Sequence, residues 1–207
     1  IKCIDEARNY IYFTASPENA TQLYLYRVNI DKGNFLQQVV GTMKKVVDVV
    51  TNSRDEPDLV SPKSLKGTHS YSISPQGKYA THSFSNSNTP TVREWITLPD
   101  HKPINSSKSI AANIKTDDRN DVEYFRIITS DNIILDAWIN KPKNFDSTKK
   151  YPVVFYVYGE PASSTVQDRY GGHTNFLYRG DIRADGYVQV AIDNRGTPML
   201  KGAAWRK

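Results

Sequence analysis

Two nearly unbroken apolar runs, Y-P-V-V-F-Y-V-Y at 151–158 and Y-V-Q-V-A-I at 187–192, constrain this chain more than any other feature. Runs that short and that apolar offer no face to solvent, the pattern of strands covered on both sides in a parallel sheet. Parallel neighbours need a crossover of a dozen or more residues, usually helical. Residues 175–184 read as that helix, stopped by Asp185-Gly186. Upstream, Val122 to Thr129 and Ile133 to Asn140 flank Ser130-Asp131-Asn132 and read as an antiparallel hairpin. Residues 122–193 are therefore expected to open an α/β sheet with an antiparallel pair at its edge.

The first 110 or so residues have a different texture. Short runs rich in Tyr, Val, Ile and Thr recur at Tyr10–Thr14, Gln22–Val28, Val46–Val50, Ser70–Ser74, Tyr79–Phe84 and Val92–Leu98, with turn chemistry between them. Ser16-Pro17-Glu18-Asn19 and Ser74-Pro75-Gln76-Gly77 are one device used twice. Proline presets φ at the second turn position, and Asn or Gly tolerates the left-handed one. The two turns lie 58 residues apart, beyond the ~40 to 50 of a propeller blade. The polar, aperiodic stretch 51–68 reads as an inserted surface loop that accounts for the excess. About two blades of a β-propeller are expected. Since two blades cannot close a ring, and the chain opens on Ile1-Lys2-Cys3 and closes on Trp205-Arg206-Lys207, a fragment of a longer protein is expected. Bare, such a piece would leave blade and sheet edges unpaired.

Net charge is +5, but the 27 Lys and Arg are interleaved with 22 acids, not gathered into the stripes of a nucleic-acid binder. Cys3 is the lone cysteine, which excludes an internal disulfide and a cysteine-built metal site. No apolar run approaches the ~18 residues of a membrane span. No phosphate-binding loop or dinucleotide fingerprint occurs, so no cofactor is expected.

Ligand sites in open α/β sheets lie beyond the C-terminal strand ends. Tyr158-Gly159-Glu160-Pro161 and Asp193-Asn194-Arg195-Gly196-Thr197 both fall there. A phenol at such a place has two readings: a donor to a developing oxyanion, or an interior hydroxyl satisfying a local carbonyl.

The strings D-A-W-I-N-K-P, K-K-Y-P-V-V-F-Y-V-Y-G-E-P-A-S-S-T-V and G-Y-V-Q-V-A-I-D-N-R-G-T-P, with the upstream H-S-Y-S-I-S-P-Q-G-K-Y-A-T-H-S-F-S-N-S-N-T-P, resemble dipeptidyl peptidase IV-type serine peptidases of the prolyl oligopeptidase clan. The resemblance covers most of the chain outside the 51–68 loop. It implies the last blades of an eight-bladed propeller over 1–115 and the N-terminal part of an α/β-hydrolase domain over 116–207. It further implies peptide substrates, release of N-terminal Xaa-Pro or Xaa-Ala dipeptides, a parent that forms a homodimer, and a bacterial periplasmic or secreted location. Tyr158 matches the family's oxyanion-stabilising tyrosine. Glu160 departs from the commoner Gly-Gly-Pro or Ala-Gly-Pro pattern, so its side chain is expected in solvent or paired with Arg195 or Arg169. The Asp193–Gly196 loop reads as structural, with Gly196 for the turn and Arg195 tying loops together.

G-x-S-x-G is absent, and the α/β-hydrolase order of nucleophile, acid and base puts all three outside these residues. Alone, the segment should be inactive. No substrate-binding residue is assigned. A tripeptidyl, prolyl oligo- or acylaminoacyl-peptidase, or a non-catalytic interaction protein of the same fold, stays open. Of the four histidines, His69 and His82 flank a hairpin turn and invite a metal reading, but without a cysteine or a suitably placed acid they are expected to be structural, and no metal is expected. His173 is expected to be a solvated loop residue.

Overall fold

The computed structural model describes residues 1–29, 57–117, 121–160, 162–175, 177–202 and 205. The chain divides into two compact units, one comprising Ile1–Ala15, Leu23–Phe84 and Val92–Asn113, the other Ser16–Gln22, Ser85–Thr91 and Ile114–Lys207.

Two four-stranded sheets occupy the first half. β1 (Cys3–Asp5), β2 (Tyr10–Ala15), β3 (Tyr24–Asn29) and β4 (Asp58–Leu59) pair in sequence order, each antiparallel to the next. β5 (Thr68–Ile73), β6 (Tyr79–Asn86), β7 (Thr89–Thr97) and β8 (Lys102–Pro103) repeat that order. Sequential four-stranded sheets of this kind are what propeller blades are made of. The Ser74–Gly77 turn forms as expected: the Gly77 N–H donates to Ser74 O (2.8 Å), and Gly77 sits at φ +65°. A Cβ there would lie 2.9 Å from Asp5 Oδ2, so glycine is needed for space as well as for φ. Asp5 in turn binds Arg8, whose guanidinium also donates to Leu98 O (2.8 Å) and Gly77 O (2.7 Å). Beneath these contacts Tyr12, Leu25, Val60, Tyr71, Ala80, Ile96 and Leu98 form one buried cluster.

One expectation changes here. The 51–68 stretch is not simply an inserted loop: Asp58–Leu59 is the fourth strand of the first sheet, and Val60 and Ser61 beyond it are buried. Leu25 explains why, since its N–H donates to Ser61 Oγ (2.8 Å) and its carbonyl accepts from Val60 and Ser61. The strand expected at Val46–Val50 lies outside the described residues.

In the second unit, β9 (Val122–Ile128) and β10 (Ile134–Asn140) form the expected hairpin, in register from Ile134 with Ile128 to Asn140 with Val122. β11 (Val153–Tyr156) and β12 (Val188–Ile192) run parallel, as their composition implies, and the sheet order is β11-β12-β10-β9. β12 is the covered strand; Val188 through Ala191 are all buried. β11 is not. As the edge strand it leaves Val153 49% and Phe155 61% exposed, so its apolar run is covered on one face at most.

Among the described residues of 175–184 the expected helix does not form, and a turn begins at 182. Asp181 explains the loss: its side chain accepts from the Arg183 and Ala184 N–H groups at 3.1 and 3.2 Å, starting a fresh turn where a helix would have had to continue. One helical bond closes from Asp185 N–H to Asp181 O (2.9 Å), and Gly186 at φ +82° ends the turn where the stop was expected. Among the described residues no helix is long and apolar enough to cross a membrane.

Candidate functional site

Tyr156 pairs with Ala191 across the parallel strands, so Tyr158 and Asp193 each stand two residues past the last paired position, at the C-terminal ends. The strand closes at Tyr156, two residues earlier than its sequence suggests, and Tyr158 lies in the following segment with 43% of its surface exposed. Among the described residues its hydroxyl has no hydrogen-bond partner. Gly159 at φ +76° turns the chain immediately afterwards. Glu160 is exposed. Arg195 is engaged elsewhere, its guanidinium gripping both Asp131 oxygens and holding that carboxyl down at about 2. Of the alternatives for Glu160, solvent is the one realised.

Asp193 anchors the neighbouring loop. It is 2% exposed and accepts from Thr165 N–H (2.7 Å), Thr165 Oγ1 (2.9 Å) and Val166 N–H (3.1 Å). Its own N–H donates to Asp136 O at 3.0 Å. Three donors on one buried carboxylate fix the 165–166 backbone against the end of β12. Gly196 at φ +80° makes the following turn, and Arg195 carries the loop to the β9–β10 hairpin through Asp131. The structural reading of this loop therefore holds.

Trp138 on β10 is fully buried with Val166 and Ala191, and its indole N–H donates to Thr165 O (3.0 Å). His173 corrects its expected place. It is 6% exposed, bonded to the Tyr124 hydroxyl at 2.8 Å and set edge-on to Trp138 at 5.0 Å; burial holds its pKa down at about 4. Next to it a cavity of about 410 Å³ is lined by Asn140, His173, Tyr178, Arg183 and Gln189 among others. Asn140 and Gln189 are register partners, and the Gln189 amide and the Asn140 carbonyl oxygen, although buried, have no hydrogen-bond partner among the described residues.

The first unit holds the polar cluster that sequence reasoning missed. His69 and His82 are both fully buried, and His69 Nδ1 meets His82 Nε2 at 2.9 Å. His69 Nε2 donates to Leu65 O (2.8 Å), and His82 Nδ1 meets Glu94 Oε1 (2.8 Å), whose second oxygen accepts from Ile110 N–H at 3.0 Å. The acid thought missing beside the histidines is thus Glu94, and strand alternation was the signal for it. His69 and Tyr71, His82 and Phe84, Glu94 and Ile96 are the buried parity on three consecutive strands. His82, Glu94 and His101 bring their donor atoms within 4.8 Å of one another. That is wider than the ~3.4 Å between ligands of a tetrahedral zinc ion with bonds of ~2.0–2.1 Å. Each of the three also has a hydrogen-bond partner, His101 through Tyr71 at 3.0 Å. The geometry is that of a hydrogen-bonded core.

Comparison with known proteins follows the same outline. Residues 1–91 match the family described as dipeptidyl peptidase IV (DPP IV) N-terminal region. A probable dipeptidyl-aminopeptidase B of Talaromyces marneffei is 28% identical over 97% of this chain and 20% of its own length. Its counterpart in Emericella nidulans is 27% identical, again over 97% of this chain and 20% of its own length. The crystal structure of Porphyromonas gingivalis dipeptidyl peptidase 4 superimposes with a TM-score of 0.68 at 24% identity, covering 97% of this chain and 25% of that one; at that identity the likeness speaks for the fold. These sequence relatives are fungal, which overturns the expected bacterial periplasmic or secreted location; the resemblance carried the family and not the compartment. The chain spans about a fifth of the length of the curated relatives it matches. The resemblance read from the sequence holds across nearly all of it: residues 1–91 match the dipeptidyl peptidase IV N-terminal region, and 97% of the chain is similar to a dipeptidyl-aminopeptidase B.

Proposed function

We propose that this chain is part of a serine exopeptidase that releases N-terminal Xaa-Pro or Xaa-Ala dipeptides. Residues 1–115 are its last propeller blades, residues 116–207 open its α/β-hydrolase domain, and Tyr158 stabilises the oxyanion. The observation that carries this reading is the half-exposed Tyr158 just past the end of a strand in a parallel pair, its hydroxyl without a partner among the described residues. Groups at such strand ends face the ligand crevice of open α/β sheets. A phenol whose O–H has no protein acceptor is free to donate to an oxygen that gains charge during the reaction. In the acyl-transfer sequence, a histidine takes the proton of the serine hydroxyl and the serine oxygen attacks the peptide carbonyl. The Tyr158 O–H then donates to the resulting oxyanion until the amine leaves, and water hydrolyses the acyl-enzyme. Serine, aspartate and histidine come from outside these residues. The dipeptidyl-aminopeptidase names of the relatives support dipeptides as the product.

The test is Tyr158→Phe in the full-length enzyme with a free-amine Xaa-Pro chromogenic substrate. Loss of one oxyanion donor costs ~2.7–4 kcal/mol of transition-state stabilisation, so kcat should fall about 100-fold or more while KM changes little. An unchanged kcat sinks the assignment. Hydrolysis that persists after the substrate amine is acylated would move the enzyme to the endo- or acylaminoacyl-cleaving cousins.

A further inference from the structure

The buried relay Leu65–His69–His82–Glu94 has a hydrogen count that its side chains cannot meet in their ordinary neutral-pH forms. Three contacts run in series: Leu65 O with His69 Nε2 at 2.8 Å, His69 Nδ1 with His82 Nε2 at 2.9 Å, and His82 Nδ1 with Glu94 Oε1 at 2.8 Å. Each contact needs one hydrogen between its two heavy atoms. Two neutral imidazoles carry one ring N–H each, and a carboxylate carries none. Two hydrogens cannot fill three contacts, whichever tautomers are chosen.

The Leu65 carbonyl fixes the direction, because a carbonyl only accepts. His69 must donate through Nε2, which leaves its Nδ1 to accept from His82 Nε2–H, and the remaining contact with Glu94 then lacks a hydrogen. We propose that this relay holds one additional proton, shared between His82 and Glu94, that folding takes from solvent and that alkaline pH removes, so that the β5–β8 blade carries a built-in alkaline release. Removing the proton sets the His82 Nδ1 lone pair against the Glu94 carboxylate, fully buried, or breaks the bond to Leu65.

Among the described residues, the groups facing the pair leave no other source for that hydrogen. Tyr71 stacks on His82 at 4.5 Å, and His101 meets it edge-on at 4.7 Å. Tyr24 and Phe84 pack on His69 at 5.2 and 5.0 Å. Tyr71 already bonds Ser61 at 2.9 Å and His101 at 3.0 Å, and the second Glu94 oxygen is taken by the Ile110 amide. Desolvation keeps His69 and His101 neutral, with pKa values down at about 3 and 4, and pushes the Tyr71 phenol up. Glu94 is held below the usual carboxylate range: its burial acts the other way, but the His82 bond, the Ile110 amide and the neighbouring imidazoles outweigh it. Because Glu94 also holds Ile110, the relay ties the loop before β5, three strands and the first turn of helix α1 (Ile110–Asn113) into one proton-dependent line.

The sign follows from linkage. Above about pH 7 the unfolded chain holds two hydrogens on these three groups, from reference values near 6.5 for His and 4.3 for Glu, and the folded chain holds three. One proton taken up on folding lowers the folding equilibrium constant about tenfold per pH unit as pH rises, until the pair gives the proton up. Glu94→Gln is the informative variant. Its amide supplies a permanent N–H to His82 Nδ1, His82 and His69 donate onward as before, and the amide oxygen still accepts from Ile110. All three contacts are then filled without a titrating proton.

Denaturant unfolding of the full-length protein, followed through the propeller from pH 7 to 9.5, should show a falling midpoint in the native sequence and a level one in Glu94→Gln. A second readout needs no variant to fold well. Unfolding the native protein at pH 8 in weakly buffered solution should release about one proton more than unfolding Glu94→Gln. Parallel pH profiles, or equal proton release, would overturn the proposal.

Discussion

The β5–β8 sheet and the β9–β12 sheet each have four strands, yet they treat buried polar groups and exposed apolar ones in opposite ways. In the first, His69, His82, Glu94 and Tyr71 lie deep in the fold, and each has a partner within 3.0 Å. In the second, Gln189 is 1% exposed with neither amide atom satisfied among the described residues, while Phe155 and Val157 stand 61% and 70% exposed on and just past β11. A blade is completed by its own strands and the turns beside them. The mixed sheet has a finished centre, around Trp138 and Asp193, and an unfinished edge and cavity. The difference teaches where function can be sought: among the groups that have no partner among the described residues, Tyr158 included.

Trp138→Ala strikes the finished centre of the second sheet and carries the largest expected cost, ~3–5 kcal/mol, because it removes a fully buried indole and orphans the Thr165 carbonyl it serves. A denaturant midpoint lowered by that amount at unchanged m-value would confirm a rigid centre; a near-normal midpoint would show this sheet to be loose throughout. Gly77→Ala tests the blade side. It forces a side chain into the left-handed region and against Asp5 Oδ2, and should cost ~1–2 kcal/mol. Thermal melting that leaves the blades untouched would mean that the Asp5–Arg8–Gly77 knot does not hold them.

Acid should discriminate less. His69, His101 and His173 are all held neutral by burial, in both units, so stability is lost as pH falls from about 6.5 toward 4. The loss in each unit should begin below pH 6.5, as read by tryptophan fluorescence for Trp138 and by hydrogen exchange for the blades. Smallest, and opposite in sign, is the paired change Asn140→Leu with Gln189→Leu. Removing unsatisfied buried amides should leave stability unchanged or raise it by up to ~1 kcal/mol. A clear loss would instead assign those amides partners that complete the cavity.

Much of this was legible in the sequence because the deciding interactions were local. Ser74-Pro75-Gln76-Gly77 specifies its turn within four residues, and the β9–β10 hairpin is set by alternation and a polar turn. The parallel pair could also be read, since two near-continuous apolar runs have few other solutions. What escaped depended on distant or competing partners. The edge position of β11 follows from strand order, which β11 itself does not encode. The helix at 175–184 lost to Asp181, whose side chain competes for the backbone donors a helix needs. The histidine relay required combining parity across three strands, while Tyr158 could be placed at a strand end but given a role only by resemblance.

The parallel pair also has a kinetic consequence. Ile128 and Ile134 are near neighbours in sequence, so the β9–β10 hairpin can close as soon as its turn forms. Tyr156 and Ala191 are separated by a long crossover, and β12 must meanwhile find β10 from still farther along the chain. Loop closure precedes any contact that rewards it, so such pairings come late. The strand end that carries Tyr158 is therefore the last part of its sheet to be fixed, and pulse-labelled hydrogen exchange during refolding should protect Phe125 and Leu135 well before Val190.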